Sequence, residues 1–260
     1  MVLIAGPCVV EGRELVIRTA ARLAELAKKC RIPLIFKCSY RKANRMSGRS
    51  FSSIGMEKAL SILAETREKF KLPILTDIHT VDEARLAAEV ADVIQVPAFL
   101  SRQTEILEAA GRTGKVVNIK KGQFLTPEDM KHQAAKVEAT GNQNILLTER
   151  GTTFGYHNLV VDMRSLAIMR SFGYPVVLDA THSVQLPGAV TNRSGGQPEF
   201  IPLIARAGVA VGIDALFVEV HPNPRTALSD AASQLPLKQL EKLIVQVKTI
   251  DKVARRVTGT

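Results

Sequence analysis

The chain predicts an α/β fold: a single parallel (β/α)8 barrel with its working face at the C-terminal ends of the strands. Three observations carry that expectation. Eight short apolar runs recur along 260 residues, about the length of one such barrel. Their starts fall roughly 20 to 40 residues apart, which leaves room for one helix and two loops between neighbours. Nearly every run also ends in a residue capable of chemistry, the asymmetry that a TIM barrel with one active end imprints on its sequence.

In order, the runs are VLIAGPC (2–8), PLIFKC (33–38), PILTDIH (73–79), VIQVPA (93–98), VVNIKK (116–121), ILLTER (145–150), PVVLDATH (175–182) and ALFVEVH (215–221). Cys8, Asp77, His79, Lys120, Glu149, Arg150, Asp179, His182, Glu219 and His221 sit at their trailing edges. Helical patterns lie between them. Residues 13–29 place Leu15, Leu23 and Leu26 at a helical period, with acids early and lysines late to suit the dipole. Residues 81–91, 103–112 and 127–139 repeat the theme, the last with Thr126 as N-cap and Pro127 at the first helical position. Residues 158–172 and 199–212 are more apolar, and 234–257 reads as a long closing amphipathic helix. Strand–helix alternation repeated this often means a parallel sheet, and the length favours closure into a barrel. Two connections, 39–54 and 183–198, are long and polar or rich in Gly and Pro, as binding loops and lids are.

Bulk composition narrows the class. Hydrophobic residues make up 46% with only 5% aromatic and no Trp, so the core is aliphatic. No linker, low-complexity tract or heptad divides the chain, and residues 1–260 read as one catalytic domain. No targeting segment and no membrane-length apolar run is expected. Three cysteines without paired spacing argue against a disulfide framework and for a reducing, cytoplasmic setting. The excess of 35 basic over 25 acidic residues, a net charge of +10, favours anionic partners. The basic residues are scattered without aromatic interleaving, so phosphorylated small molecules are expected rather than nucleic acid, and no membrane.

Two groups of residues carry the candidate chemistry. Cys8, His182, Glu219 and Asp230 supply a thiolate, an imidazole and two carboxylates, the donors a divalent transition metal takes. Three of them end the first, seventh and eighth runs, which are consecutive in a closed barrel; no short spacing links them. The plainer reading is a buried cysteine and scattered polar residues. Lys37, Lys42, Lys120 and Arg150 form the second group. Cations converging on the strand ends suit phosphate or carboxylate, whereas single lysines often just snorkel outward. Lys120 also suits a Schiff base. His79, His157 and His221 are possible acid–base groups, Asp77 and Asp179 can orient neighbours, and Cys30 and Cys38 have no partner pattern.

The motifs IAGPC (4–8), KANR (42–45), TDIH (76–79), QVPAFLSRQT (95–104), VNIKKGQF (117–124), LTERGTTFGYHNLVVDMRSL (147–166), DATHSVQLPG (179–188) and HPNPRTALSDAASQLPL (221–237) closely resemble the 3-deoxy-D-manno-octulosonate 8-phosphate synthases. The similarity runs from residue 4 to about 245. It implies a transferase, usually homotetrameric, that condenses phosphoenolpyruvate with D-arabinose 5-phosphate and water and releases phosphate, for lipopolysaccharide biosynthesis. It further implies that Lys120 and Arg150, with the backbone at Pro97 and Ala98, hold the phosphate of phosphoenolpyruvate. Lys42 and Lys37 then face its carboxylate and the reacting centre, and Asn44 and Arg45 meet the sugar phosphate, with Arg45 reaching it from a neighbouring subunit. Lys42, Asn44, Lys120, His182 and Asp230 are the implied catalytic residues.

This family has a metal-dependent branch with Cys after AGP and a metal-free branch with Asn. The resemblance therefore implies the first for this chain, through Cys8, with His182, Glu219 and Asp230 matching the other ligands. Fe2+, Mn2+, Zn2+ and Co2+ all suit that set. One region departs from the pattern. Met46 stands where a hydroxyl residue is typical, Ser52 where Arg is, and Arg41 where Asp is common; Ser47, Arg49 and Arg41 are placed to compensate. All these departures fall on the acceptor side. The alternative acceptor is erythrose 4-phosphate, as in the related heptulosonate phosphate synthases, although KANR disfavours it.

Overall fold

The computed structural model describes residues 1–43, 50–154, 158–190 and 193–258. Eight parallel strands form the closed barrel: β1 (Val2–Gly6), β2 (Leu34–Lys37), β3 (Ile74–Asp77), β4 (Val93–Val96), β5 (Val116–Lys120), β6 (Ile145–Glu149), β7 (Val176–Asp179) and β8 (Ala215–His221). Each pairs with its neighbour in sequence, and β8 pairs back onto β1 from Val2 opposite Ala215 to Gly6 opposite Glu219. All eight apolar runs are therefore strands.

Helices α1 (Arg13–Cys30), α2 (Met56–Phe70), α3 (Val81–Val90), α4 (Thr104–Arg112), α5 (Met130–Glu138), α6 (Arg164–Arg170), α7 (Ile201–Val211) and α8 (Leu237–Thr258) surround the strands. In α1 the buried stripe is Val16, Ala20, Leu23 and Leu26, so Val16 takes the inward position expected of Leu15. Two helix boundaries differ from expectation. Residues 127–129 form a turn, with the Met130 N–H donating to the Pro127 carbonyl and the Lys131 N–H to that of Glu128, so α5 begins only at Met130 and has no side-chain cap. In 158–172, Leu159–Val160 pairs with Thr152–Thr153 as a short antiparallel ladder, which confines α6 to its last two turns. The Gly- and Pro-rich connection after β7 carries an antiparallel ladder, Gln185–Val190 with Arg193–Gly196. Among the described residues, no helix is long and apolar enough to cross a membrane.

Side-chain alternation along the strands sorts this structure into layers. The inward positions of the lower barrel are apolar: Ile4, Leu75, Val93, Val177, Ala215 and Phe217 pack together there. The outward positions meet the helices in a much larger cluster that includes Leu3, Phe36, Ile94, Ile119, Leu147, Leu178 and Val218. Two residues further along every strand but β1, where Gly6 follows Ile4, the inward positions turn polar. Lys37, Asp77, Gln95, Asn118, Lys120, Thr148, Asp179 and Glu219 follow Ile35, Leu75, Val93, Val116, Asn118, Leu146, Val177 and Phe217 in the same parity. A buried polar layer thus caps an apolar plug at one end of the barrel.

Gly6 is the tightest point of this packing. A Cβ there would lie 1.9 Å from the carbonyl oxygen of Lys37, so only glycine lets β1 and β2 approach as they do.

Candidate active site

A cavity of about 140 Å³ opens at the C-terminal mouth, lined by Lys37, Lys42, Asp77, His79, Gln95, Pro97, Ala98, Lys120, Gln123, Arg150 and His182, among others. All four cations of the sequence-derived group reach it, and each is at most 9% exposed. Isolated burial of so much positive charge is costly, so each ammonium has an anionic neighbour. Lys37 donates to Glu219 Oε1 and, at 2.9 Å, to the carbonyl of Cys8. Lys42 lies 3.8 Å from Glu219 and 3.9 Å from Asp230. Lys120 pairs with Asp179 and stands 4.2 Å over the ring of Phe217.

These neighbours set the charge states. Burial works against the Lys37 ammonium, but Glu219 outweighs it and raises the pKa. Burial is likewise outweighed at Lys42, by Cys8 and Glu219. At Lys120 burial wins over Asp179 and the pKa falls. Burial also lowers Arg150. Among carboxylates, burial pushes Asp77 upward, yet Lys37 and Lys42 prevail and hold it down at about 2. Asp179 and Glu219 are held well below the usual range: against burial, His182 and Lys120 stabilise the first, and Lys37 and His182 the second.

Arg150 directs Nη2 to Gln185 Oε1 at 2.8 Å, while its Nη1 is buried without a hydrogen-bond partner among the described residues. Gln123 Oε1 is in the same condition. An unsatisfied buried polar group costs about 1–3 kcal/mol, which marks such a site as one built for a ligand.

The four expected metal ligands also converge. Cys8 lies just past β1, whose last residue is level with Glu219. Its Sγ is 3.0 Å from Asp230 Oδ2, and one donor atom from each of Cys8, Glu219 and Asp230 lies within 4.8 Å of the others. His182 Nε2 is 3.7 Å from Glu219 and 3.9 Å from Asp230. Its other nitrogen, Nδ1, is 2.6 Å from Asp179 Oδ2, the arrangement that places the proton on Nδ1 and leaves Nε2 as donor to a cation. Glu219 Oε2 is buried with no hydrogen-bond partner among the described residues. Burial, Asp230 and Glu219 together raise the Cys8 thiol well above its ordinary value, the penalty that a bound cation removes. The donor set and the orphaned carboxylate oxygen fit a divalent transition metal.

Asn44, Arg45, Met46, Ser47, Arg49 and His157 lie outside the described residues. Arg41 pairs with Glu83 on α3 at 2.5 Å, and Ser52 accepts from the Lys42 N–H at 2.9 Å, closing the base of that loop. Pro97 and Ala98 line the cavity as expected. His221 faces Glu11 at 3.7 Å, away from this cluster.

Asp77 apart, sequence reasoning gave no role to the polar belt beneath the cations. Thr148 Oγ1 donates to Asn118 Oδ1, Asn118 Nδ2 to Gln95 Oε1, and Gln95 Nε2 to Asp77 Oδ1, at 2.6, 2.9 and 2.8 Å. Ser39 Oγ completes the chain to Asp77 Oδ2 at 2.7 Å. The available signal is a polar residue at an inward position of an otherwise apolar run.

The chain matches the DAHP synthetase I family over residues 1–256. It is 54% identical over 255 residues to the 2-dehydro-3-deoxyphosphooctonate aldolase of Trichlorobacter lovleyi, covering 98% of this chain and 94% of that one. The proteins of the same name from Acidithiobacillus ferrooxidans and Dichelobacter nodosus are each 53% identical over 253 residues, covering 97% of this chain and 90% and 91% of theirs.

Proposed function

The chain belongs to the DAHP synthetase I family, and from that premise we propose that it condenses phosphoenolpyruvate with D-arabinose 5-phosphate and water, forming 3-deoxy-D-manno-octulosonate 8-phosphate and phosphate. This is the reaction of the enzyme whose name its relatives carry, and the product is a precursor for lipopolysaccharide. The relatives give erythrose 4-phosphate no support as acceptor. The single observation that carries the reading is the convergence of four buried cations on one cavity, with Arg150 Nη1 left without a partner among the described residues.

The roles in this reading are those the family resemblance implies, and the cavity lining is compatible with them. Lys120 and Arg150, with the backbone at Pro97 and Ala98, hold the phosphate of phosphoenolpyruvate, Arg150 through its fork and Lys120 as a point charge. Lys37 and Lys42 face the carboxylate and the reacting centre. Asn44 and Arg45 bind the acceptor. Held in this way, C3 of phosphoenolpyruvate bonds to the aldehyde carbon, water adds at C2, and the C2–O bond to phosphate breaks. Asp179 keeps Lys120 in place and fixes the proton on His182 Nδ1. A divalent transition metal held by Cys8, His182, Glu219 and Asp230 would supply Lewis acidity toward the aldehyde oxygen or the attacking water.

The reading includes a homotetramer and a cytoplasmic setting. Exposed Phe99, Phe124 and Phe154 support association, and three free cysteines suit a reducing compartment. Turnover in H2(18)O tests the chemistry: cleavage of C2–O releases phosphate without label. Labelled phosphate, or a borohydride-trapped adduct on Lys120, would replace this mechanism with phosphate-ester hydrolysis or a Schiff base.

A further inference from the structure

A second charged pair lies behind the rim, on the outward face of the barrel wall. Lys121 and Glu149 have the opposite side-chain parity to Lys120 and Arg150, so they point toward the helices rather than into the cavity. Both are buried, at 0% and 1% exposure. Lys121 Nζ lies 3.6 Å from Glu149 Oε1 and donates to Thr152 Oγ1 at 2.8 Å and to the Leu125 carbonyl at 3.2 Å. An ion pair in such a place is seldom the most stable filling for the space, since apolar residues of similar volume do as well or better. Its worth has to be sought in what it positions.

Each member adjoins one of the two cations assigned to the phosphate. The Glu149 carboxylate also binds the backbone of the turn that carries the second. Oε1 accepts from the Arg150 N–H at 2.8 Å and from the Gly151 N–H at 2.6 Å. Oε2 accepts from Ser165 Oγ on α6 at 2.6 Å. Gly151 takes φ +92°, so the chain reverses sharply here, with both amides aimed at this one side chain. Lys121 meanwhile ties the turn after β5 to the turn after β6, and the Thr153 N–H reinforces the tie by donating to the Gln123 carbonyl at 2.9 Å.

We propose that Glu149, braced by Lys121 and Ser165, is a positioning residue: it fixes the Arg150–Gly151 turn and so sets the Arg150 guanidinium against the phosphate of phosphoenolpyruvate. The inference rests on the phosphate role assigned to Arg150 above. Glu149 touches no substrate; it acts through its neighbour.

A double-mutant cycle on the full-length, metal-supplemented protein tests it, using Glu149→Ala, Arg150→Ala and the pair. Calorimetric titration with phosphoenolpyruvate and steady-state kinetics in both substrates provide the readouts. Glu149→Ala should weaken phosphoenolpyruvate binding and raise its KM by about tenfold to a hundredfold, the usual consequence of a misplaced binding group. The KM for arabinose 5-phosphate should stay within about twofold, because the lost contact serves only one substrate. Glu149→Gln, which keeps an acceptor oxygen for both amides, should recover most of the loss. In the Arg150→Ala background, Glu149→Ala should change nothing further. Independent, multiplying losses would overturn the proposal, as would equal rises in both KM values or wild-type affinity in Glu149→Ala. If Glu149→Ala does not fold, Glu149→Gln and Lys121→Met complete the cycle, with the same absence of further loss on Arg150→Ala expected. The titration judges Glu149 even if the wild type turns over neither sugar phosphate, a result that would sink the functional reading alone.

Discussion

Asp179→Asn is the substitution from which most is expected, because one carboxylate serves five donors. Oδ2 accepts from Lys120 Nζ and from His182 Nδ1 at 2.6 Å. Oδ1 accepts from the Thr181 N–H, Thr181 Oγ1 and the His182 N–H at 3.1, 2.9 and 2.9 Å. Asparagine has the same shape but carries two hydrogens on one end. Either orientation of the amide sets donor against donor, toward Lys120 and His182 or toward the backbone turn. Asp179 is 0% exposed, so water cannot make good the loss. Breaking a buried ion pair by removing one charge costs about 3–5 kcal/mol, and urea unfolding should show a loss of that order. The catalytic effect should be larger than a binding effect alone, since His182 also loses the group that fixes its tautomer. A loss of at least about 2.7 kcal/mol in transition-state stabilisation, or about a hundredfold in kcat/KM, should appear in phosphate-release assays. An unchanged urea midpoint together with kcat/KM within about threefold of wild type would refute the role given to Asp179.

Three further substitutions probe other parts of the site. Asp77 is held at about 2, because Lys37 and Lys42 outweigh its burial. A depressed carboxylate stabilises the fold above its unfolded pKa of about 3.9 and loses that contribution as pH falls toward the folded value. Asp77→Asn should therefore flatten the acid dependence of urea stability between about pH 5 and pH 2 by about 2 kcal/mol, and an unaltered pH profile would contradict the assignment. Cys8→Asn should drop the metal content of the purified protein from about one per chain to near none, read by elemental analysis. Stoichiometric metal still bound at this site would remove Cys8 from the ligand set. Gly6→Ala should destabilise by about 3 kcal/mol, since its Cβ would meet the Lys37 carbonyl at 1.9 Å within a closed barrel; a wild-type unfolding curve would show that the two strands can separate.

The barrel was legible because strand runs buried on both faces are short, aliphatic and evenly spaced. Each of the eight runs became a strand, and most of the polar trailing residues gather at the mouth of the barrel, although Glu149 turns toward the helices and His221 toward Glu11. What the runs could not reveal was convergence. Cys8 and Asp230 are 222 positions apart and meet only because β8 pairs with β1. Local hydrogen bonding also overrode local pattern at three places. Thr126 reads as a helix cap, but residues 127–129 close as a turn and delay α5 to Met130, and residues 159–160 preferred a ladder to the helix their apolarity suggested. The Gly- and Pro-rich stretch after β7 folded partly as a local antiparallel ladder, from Gln185 opposite Gly196 to Val190 opposite Arg193, which its composition disguised as a plain loop. Asp179 could be suspected of orienting a neighbour, but that it would hold both Lys120 and His182 depends on side-chain reach across β5 and β7.

The central claim is that this mouth joins phosphoenolpyruvate to a five-carbon sugar phosphate. Initial rates of phosphate release from phosphoenolpyruvate, with arabinose 5-phosphate or erythrose 4-phosphate, each with and without a chelator, test it most directly. The account predicts turnover that is selective for arabinose 5-phosphate and lost on chelation. No turnover with arabinose 5-phosphate, even with Mn2+ or Zn2+ restored, would contradict it and move attention to the acceptor loop around Met46.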